Sequence, residues 1–296
     1  MWRSENPTWK VSEPDKVAML LRGIKHLASL SEIITFIVRP KRLDLFAESQ
    51  DQSSALICTF ESSFFNDYNG ANRIFAIYSK NLMLITDSHK TSIINLQFAM
   101  RQEEFIDVVI DYNTGVSASY GCPTTDKIHD CCRMGGPEIT IYQGWIGHNI
   151  SFWDEKMMRL FPGSYDFFAI KITKAGIEVR NFDFEKNQTG TAGHPIKIPR
   201  AKIQLFSPLE EIEITTIPFP RLRSFMDSAR KCRLGVQMSP EYSESCSQIF
   251  WQGFTESQNA YFSLLLGCEI KPISEKYIKP EETHDVRSVK EFRSIA

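Results

Sequence analysis

PDKVAMLLRGIKHLASL, residues 14–30, is the stretch on which the reading of the fold turns. Pro14 sits where a first helical turn tolerates a residue without an N–H, and Glu13 and Asp15 carry negative charge at a helix N-terminus. Val17, Leu20, Leu21, Ile24, Leu27 and Ala28 recur with the 3.6-residue period and predict one apolar face. Arg22, Lys25, His26 and Ser29 are expected on the opposite face. The segment therefore reads as a helix that packs on something flat and apolar with one side and shows cations with the other.

After residue 30 the period changes. EIITFIVRP, KRLDLFAES and SSALICTFES are rich in β-branched and aromatic residues and read as strands. SFFNDY is a short aromatic segment, RIFAIY a strand, and SKNLMLITDSHK a weaker helix whose Leu82 to Ile85 run lacks a clean face. SIINLQFAM, EFIDVVIDY and GVSASYG predict antiparallel strands, two of them joined through Asn113, Thr114 and Gly115. Cys122 to Pro137 then has loop composition near the middle of the chain.

The second half repeats the order of elements. ITIYQGW reads as a strand and NISFWDEKMMRLF as a helix stopped by Pro162 and Gly163. DFFAIKITKAGIEVRNFDF predicts a hairpin turning at Lys174 to Gly176, residues 187–195 a loop, and AKIQLF and EEIEITTI further strands. PFPRLRSFMDSARK is a second amphipathic helix with Phe219, Leu222, Phe225, Met226 and Ala229 on one face. RLGVQMS, SQIFWQGF and AYFSLLLGCEI complete a sheet. The expectation is an α+β chain of two similar halves: 1–122, a linker over 123–137, 138–270, and a charged tail over 271–296.

Composition limits what such a chain does. With 296 residues, 42% of them hydrophobic and 24% charged, it has material for a sizeable core. A formal net charge of −2 means that contact with nucleic acid must come from a local basic face. Met1 to Lys10 is polar and predicts no signal peptide, and Tyr261 to Cys268 is too short an apolar run to span a bilayer. Seven cysteines without a disulfide-like spacing favour a reduced cytosolic or nuclear compartment.

The order of elements and several strings resemble the PCNA-like sliding-clamp fold. Within that fold they look like the Rad-nine/Ddc-one type of subunit in the heterotrimeric checkpoint clamp, the nine-one-one complex. The strings are SSALICTFESSFFNDY, DYNTGVSASYG, MMRLFPGSYDFFAIKITKAGIEVRNF and IEITTIPFPRLRSFMDSA, and the resemblance spans roughly residues 9–270 in order. It implies antiparallel sheets outside and helices inside a ring around double-stranded DNA. It implies two other clamp subunits, an ATP-driven loader, checkpoint and repair proteins as partners, a nuclear location, and no catalytic group, metal or cofactor. Lys16, Arg22, Lys25, Lys80, Lys156, Arg159, Arg221, Arg223, Arg230 and Lys231 are the residues it places toward DNA, touching phosphates without reading bases. Such family members usually carry a long phosphorylated tail that recruits a kinase activator, and this chain stops soon after the clamp-like region.

Other readings stay open. A homotrimeric replicative-type clamp would share the fold. Cys122, His129, Cys131 and Cys132 lie within eleven positions and suggest a small metal-dependent hydrolase, although they lack a C-x-x-C spacing. His26, His89, His148, His194 and His284 are scattered and read as surface residues. No phosphate-cradling G-x-x-x-x-G-K-[ST] string is present. IYQGW and the hairpin near Val108 to Tyr120 are candidate edge strands for pairing with a partner subunit, interior positions being the alternative.

Overall fold

A computed structural model of the chain describes residues 6–51, 53–87, 93–101, 104–129, 144–149, 153, 155–157, 166–183, 185–189, 194–202, 204–205, 211–229, 235–243 and 246–272. It divides into two compact units, residues 1–136 with 254–262, and residues 137–253 with 263–296.

The first unit begins with β1 (Thr8–Val11) and α1 (Pro14–Leu30). α1 forms as its sequence predicts: Pro14 opens it, Asp15 sits in the first turn, Val17 N donates to Glu13 O at 2.9 Å, and Ser31 N closes it on Leu27 O at 3.2 Å. Then follow β2 (Ile33–Val38), β3 (Arg42–Glu48), β4 (Ser54–Glu61), β5 (Asp67–Asn69), β6 (Arg73–Tyr78), α2 (Ser79–Asp87), β7 (Ile93–Arg101), β8 (Phe105–Tyr112) and β9 (Ser117–Thr125). The strands pair antiparallel in the order β4-β3-β2-β6-β9-β8-β7-β1-β5.

α1 packs on β2, β3, β4 and β7 and lies against α2. Its buried residues are Val17, Met19, Leu20, Gly23, Ile24, His26, Leu27 and Leu30. Beneath it lies an aromatic layer in which Trp9 stacks on Phe98 at 5.4 Å and Phe36 on Phe75 at 5.1 Å. Each aliphatic side chain so buried is worth about 1.5–3 kcal/mol, so this face holds α1 firmly on the sheet. Gly23 allows the close approach: a Cβ there would stand 3.2 Å from Phe262 and 3.3 Å from Cys58 Sγ. The turn over 254–262 belongs to this unit, with Glu61 N on Asn259 O at 2.9 Å and Phe262 edge-on to Phe60 at 5.9 Å.

In the second unit, β11 (Phe167–Thr173) and β12 (Gly176–Asp183) form the expected hairpin. β13 (Gln188–Thr189) and β14 (Ile196–Pro199) follow one another along β12, and β16 (Ile212–Pro218) and β20 (Glu269–Pro272) continue on the other side of β11. A second sheet holds β15 (Gln204–Leu205), β10 (Gly144–Asn149), β17 (Gly235–Ser243), β18 (Cys246–Phe254) and β19 (Ala260–Gly267), in that order. α3 (Phe219–Ala229) buries Phe219, Leu222, Phe225 and Met226. Trp153, Glu155, Lys156 and Met157 are helical, with Trp153 fully buried and edge-on to Trp251 at 5.4 Å.

Several expectations shift. β9 runs through Thr125, so Pro123, Thr124 and Thr125 are strand rather than linker. The expected loop 187–195 contains a short strand, β13, and is followed by β14, and AKIQLF splits into a 3-10 turn at Arg200–Lys202 and the two-residue β15. Strand structure reaches Pro272, two residues into the expected tail, and residues 273–296 lie outside the described ones. Of the candidate edge Val108 to Tyr120, β8 is interior, flanked by β7 and β9, whereas β9 meets β6 only at Thr124 and Thr125, so that among the described residues Ser117 to Tyr120 pair with β8 alone. Where described, IYQGW is flanked too, by β15 and β17.

The β11–β12 turn offers a stability test. Gly176 has φ +143°, and a Cβ there would stand 2.2 Å from Ile198 O, where β14 lies beside β12. Gly176→Ala is expected to lower the denaturant midpoint by the equivalent of more than about 1 kcal/mol, read by tryptophan fluorescence, because both the backbone and its neighbour oppose the new methyl.

Candidate nucleic-acid interface

On α1 the residues away from the sheet include Asp15, Ala18, Arg22, Lys25 and Ser29, a stripe down one side at the 3.6-residue period. Lys25 is exposed, and Arg22 lies half-buried with Nε on Ala18 O at 3.1 Å, its side chain folded along the helix surface. His26 was expected with them and is instead buried, 4% exposed, where the margin of the apolar face meets its neighbours. Lys16 departs as well. It lies roughly a third to half a turn from Arg22 and Lys25 around the axis, on the packed side. There its Nζ is 2.7 Å from Glu13 Oε1 and 5.8 Å from the Phe64 ring centre. The apolar stem lies on the aromatic cluster while the charge reaches its carboxylate, so Lys16 is removed from the cationic stripe.

Lys80 on α2 is exposed, its Nζ 5.6 Å from the Tyr78 ring centre, and Leu84, one turn on, is 64% exposed. Lys156 is half-buried. On α3, Arg223 is exposed but shares its stripe with exposed Asp227, while half-buried Arg221 lies at the other margin of the apolar face. Arg159, Arg230 and Lys231 lie outside the described residues. Of the expected set, α1 thus brings together Arg22 and Lys25, Lys80 stands on the helix packed against it, and the α3 pair is divided.

The margin of β9 is a feature that the sequence pointed to only loosely. Its residues Ser117 to Pro123 pair with β8, but β6 reaches only Thr124 and Thr125. Among the described residues, Ser117 to Gly121 therefore have one strand neighbour, and α2 touches this strand. Val116, at the entry to it, is 58% exposed. Ser117 Oγ donates to Asp111 Oδ1 at 2.7 Å, and Asn95 Nδ2 to Asp111 Oδ2 at 2.6 Å. These hydrogen bonds, Asn95's first, hold the Asp111 carboxyl below its ordinary range.

The proposed metal cluster is not assembled by the described part. His129 places Nδ1 2.8 Å from Thr35 Oγ1 and Nε2 3.4 Å from Ser31 Oγ, edge-on to Phe46 at 5.0 Å. Cys122 is buried, and desolvation first, with Asp107 second, pushes its thiol up, against the thiolate a metal needs. Cys131 and Cys132 lie outside the described residues. Among the described residues no group of three metal-ligating side chains is found, and no helix is long and apolar enough to cross a membrane.

The fold is that of the PCNA-like sliding clamps. The chain superposes on a chain of the PCNA2–PCNA3 complex from Sulfolobus tokodaii with a TM-score of 0.65 at 10% identity, covering 88% of this chain and 99% of that one. It superposes on A. fulgidus PCNA, solved with the C-terminal region of FEN-1 bound, with a TM-score of 0.67 at 13% identity, covering 90% and 99%. No protein-family profile and no curated protein matches the chain.

Two measurements check the site chemistry. Because the Asp111 carboxyl is depressed in the folded state, its contribution is present above its unfolded value of about 3.9 and disappears as the pH falls through the lower folded value. The stability gap between the native chain and Asp111→Asn is therefore expected to be constant at neutral pH and to close in strong acid, as followed by urea midpoints. Elemental analysis of freshly purified protein is expected to find well under one zinc per chain, and Cys122→Ala to fold normally.

Proposed function

We propose that this chain is a non-catalytic subunit of a ring clamp that encircles double-stranded DNA and recruits repair and signalling proteins. The observation that carries the reading is the α1 stripe. A two-unit clamp fold buries one face of α1 on its sheet and turns Arg22 and Lys25 the other way, with Lys80 on the adjacent helix. Cations on a rigid helix, with no base-reading geometry, suit sequence-independent contact with phosphates. A chain of formal charge −2 cannot bind DNA by bulk charge, which makes the position of these few residues decisive.

The open margin of β9, Ser117 to Gly121, supports assembly. A strand margin without a second partner among the described residues, beside a helix with exposed Leu84, is a liability in a lone chain and a natural place for a partner's strand. Among clamps, the strings resembling the checkpoint branch favour one of three different subunits acting in the nucleus in the DNA-damage response, loaded by an ATP-driven loader. A homotrimeric processivity clamp is the second reading, and the same fold serves it.

Mass photometry of the chain alone and with candidate clamp partners is the direct test. A 1:1:1 ring with two different partners is expected; a stable homotrimer would support the second reading, and a chain monomeric with every partner would remove both. Reversing charge at Arg22 and Lys25 together is expected to lower stability by no more than about 1–2 kcal/mol, read by thermal unfolding, so that the chain stays folded. It should weaken retention of the assembled ring on nicked circular DNA and flatten its salt dependence by about one per lost phosphate contact.

A further inference from the structure

The hairpin joining β2 to β3 carries four residues in a row that the clamp reading does not use: Arg39, Pro40, Lys41 and Arg42. Its loop is short, closed by Arg39 N on Arg42 O at 2.9 Å. Three further contacts fix its shape. Tyr68 Oη donates toward both Arg39 O and Arg42 O, at 2.6 and 2.5 Å, burial pushing the phenol up so that it keeps its proton. Ser62 N donates to Lys41 O at 2.7 Å. Gly70 lets its own backbone come so close that a Cβ would stand 2.1 Å from Arg39 O.

The side chains are held as firmly. Asp44 is 5% exposed, and its Oδ2 accepts Arg39 Nε at 3.3 Å and Arg42 Nε at 3.1 Å while Oδ1 accepts Thr59 Oγ1 at 2.8 Å. One buried carboxylate thus anchors two guanidinium groups by their inner nitrogens. The Arg42 Nη groups have no protein partner among the described residues, and Lys41 is exposed at the tip without an ion pair among them. Arg73 stands next to this hairpin, opposite Val38 in the β2–β6 ladder. The flanking strands add the carboxylates Asp44, beneath the turn, and Glu61, opposite Arg42. The tip is a convex, preorganised turn that carries an exposed lysine and a partly exposed guanidinium held by its Nε.

We infer that the β2–β3 tip is a second phosphate-contacting site, with Arg42 and Lys41 taking the sugar-phosphate backbone of nucleic acid independently of sequence. A short, rigid, convex turn suits a backbone that presents a charge about every 3.4 Å of rise on each strand. A phosphorylated peptide would instead need a groove to hold its chain, and the tip is a turn. The inference rests on the reading that DNA is the protein's ligand, but not on the α1 stripe being the surface that meets it.

Fluorescence anisotropy of the full-length chain with a labelled 30-base-pair duplex, across a salt series, tests it. Lys41→Glu, which touches no structural contact, is expected to weaken binding roughly three- to tenfold and to lower the salt slope by about one, and Lys41→Glu with Arg42→Gln to lower it further. If the double variant fails to fold, Lys41→Glu decides alone. Unchanged affinity and slope in Lys41→Glu, with binding still weakened by Arg22→Glu and Lys25→Glu, would overturn the tip site and leave the encircling reading standing. Loss at the tip with no effect of the α1 reversal would uphold the tip and remove α1 from the interface. A phosphoserine peptide that binds the tip while the duplex does not would overturn the inference.

Discussion

Everything in the first unit follows from burying one face of α1. The sheet beneath it is covered by Val17, Leu20, Ile24 and Leu27, and without that cover Trp9, Phe36 and Phe98 would face water. The same act sorts the charges. A helix that commits about half its circumference to a sheet has to send its remaining residues the other way, so Arg22 and Lys25 are displayed because Leu20 and Leu27 are hidden. Packing and the placement of these cations are here two descriptions of one rotation about the helix axis. Gly23 sets how close the two layers come, since the side chains of Cys58 and Phe262 fill the space a larger residue would take.

Local periodicity made much of this visible. α1 falls at Pro14–Leu30 as its sequence predicts, and the β11–β12 hairpin turns at Lys174 and Ala175 because Gly176 supplies a conformation other residues resist. The errors lie where two segments distant in sequence must meet. His26 carries a polar ring and reads as surface, yet the margin of α1 is covered by neighbours that no helical wheel contains. Lys16 reads as one more cation on the helix, but the Phe64 ring that receives its stem comes from 48 positions away. Ile196 to Pro199 is too short to declare itself as a strand, and its partner β12 is what makes β14 one.

The hairpin tip shows the same limit from the other side. Arg39 to Arg42 is legible as a basic turn, and nothing local distinguishes it from a solvated loop. What changes its meaning is Asp44 beneath it, Tyr68 closing its carbonyls and Gly70 admitting a neighbouring backbone. A flexible basic loop loses conformational entropy each time it meets a phosphate; one already held by a buried carboxylate and a phenol has met that cost in folding.

The distribution of acid completes the argument. With 36 acidic and 34 basic side chains, the chain has no excess of cations to spend on an anionic partner. What it has is placement. Asp111 is engaged by Asn95 and Ser117 on the sheet, Asp44 is buried between two arginines, and Glu13 is paired with Lys16 at the helix start. In each case the carboxylate is occupied by a donor or cation of the protein itself. On α1 the acid on the side of Arg22 and Lys25, Asp15, stands two turns from Arg22, whereas on α3 Asp227 stands one turn from Arg223. With acids near the cations of both helices, it is the position of a few side chains, and not their number, that sets the local field.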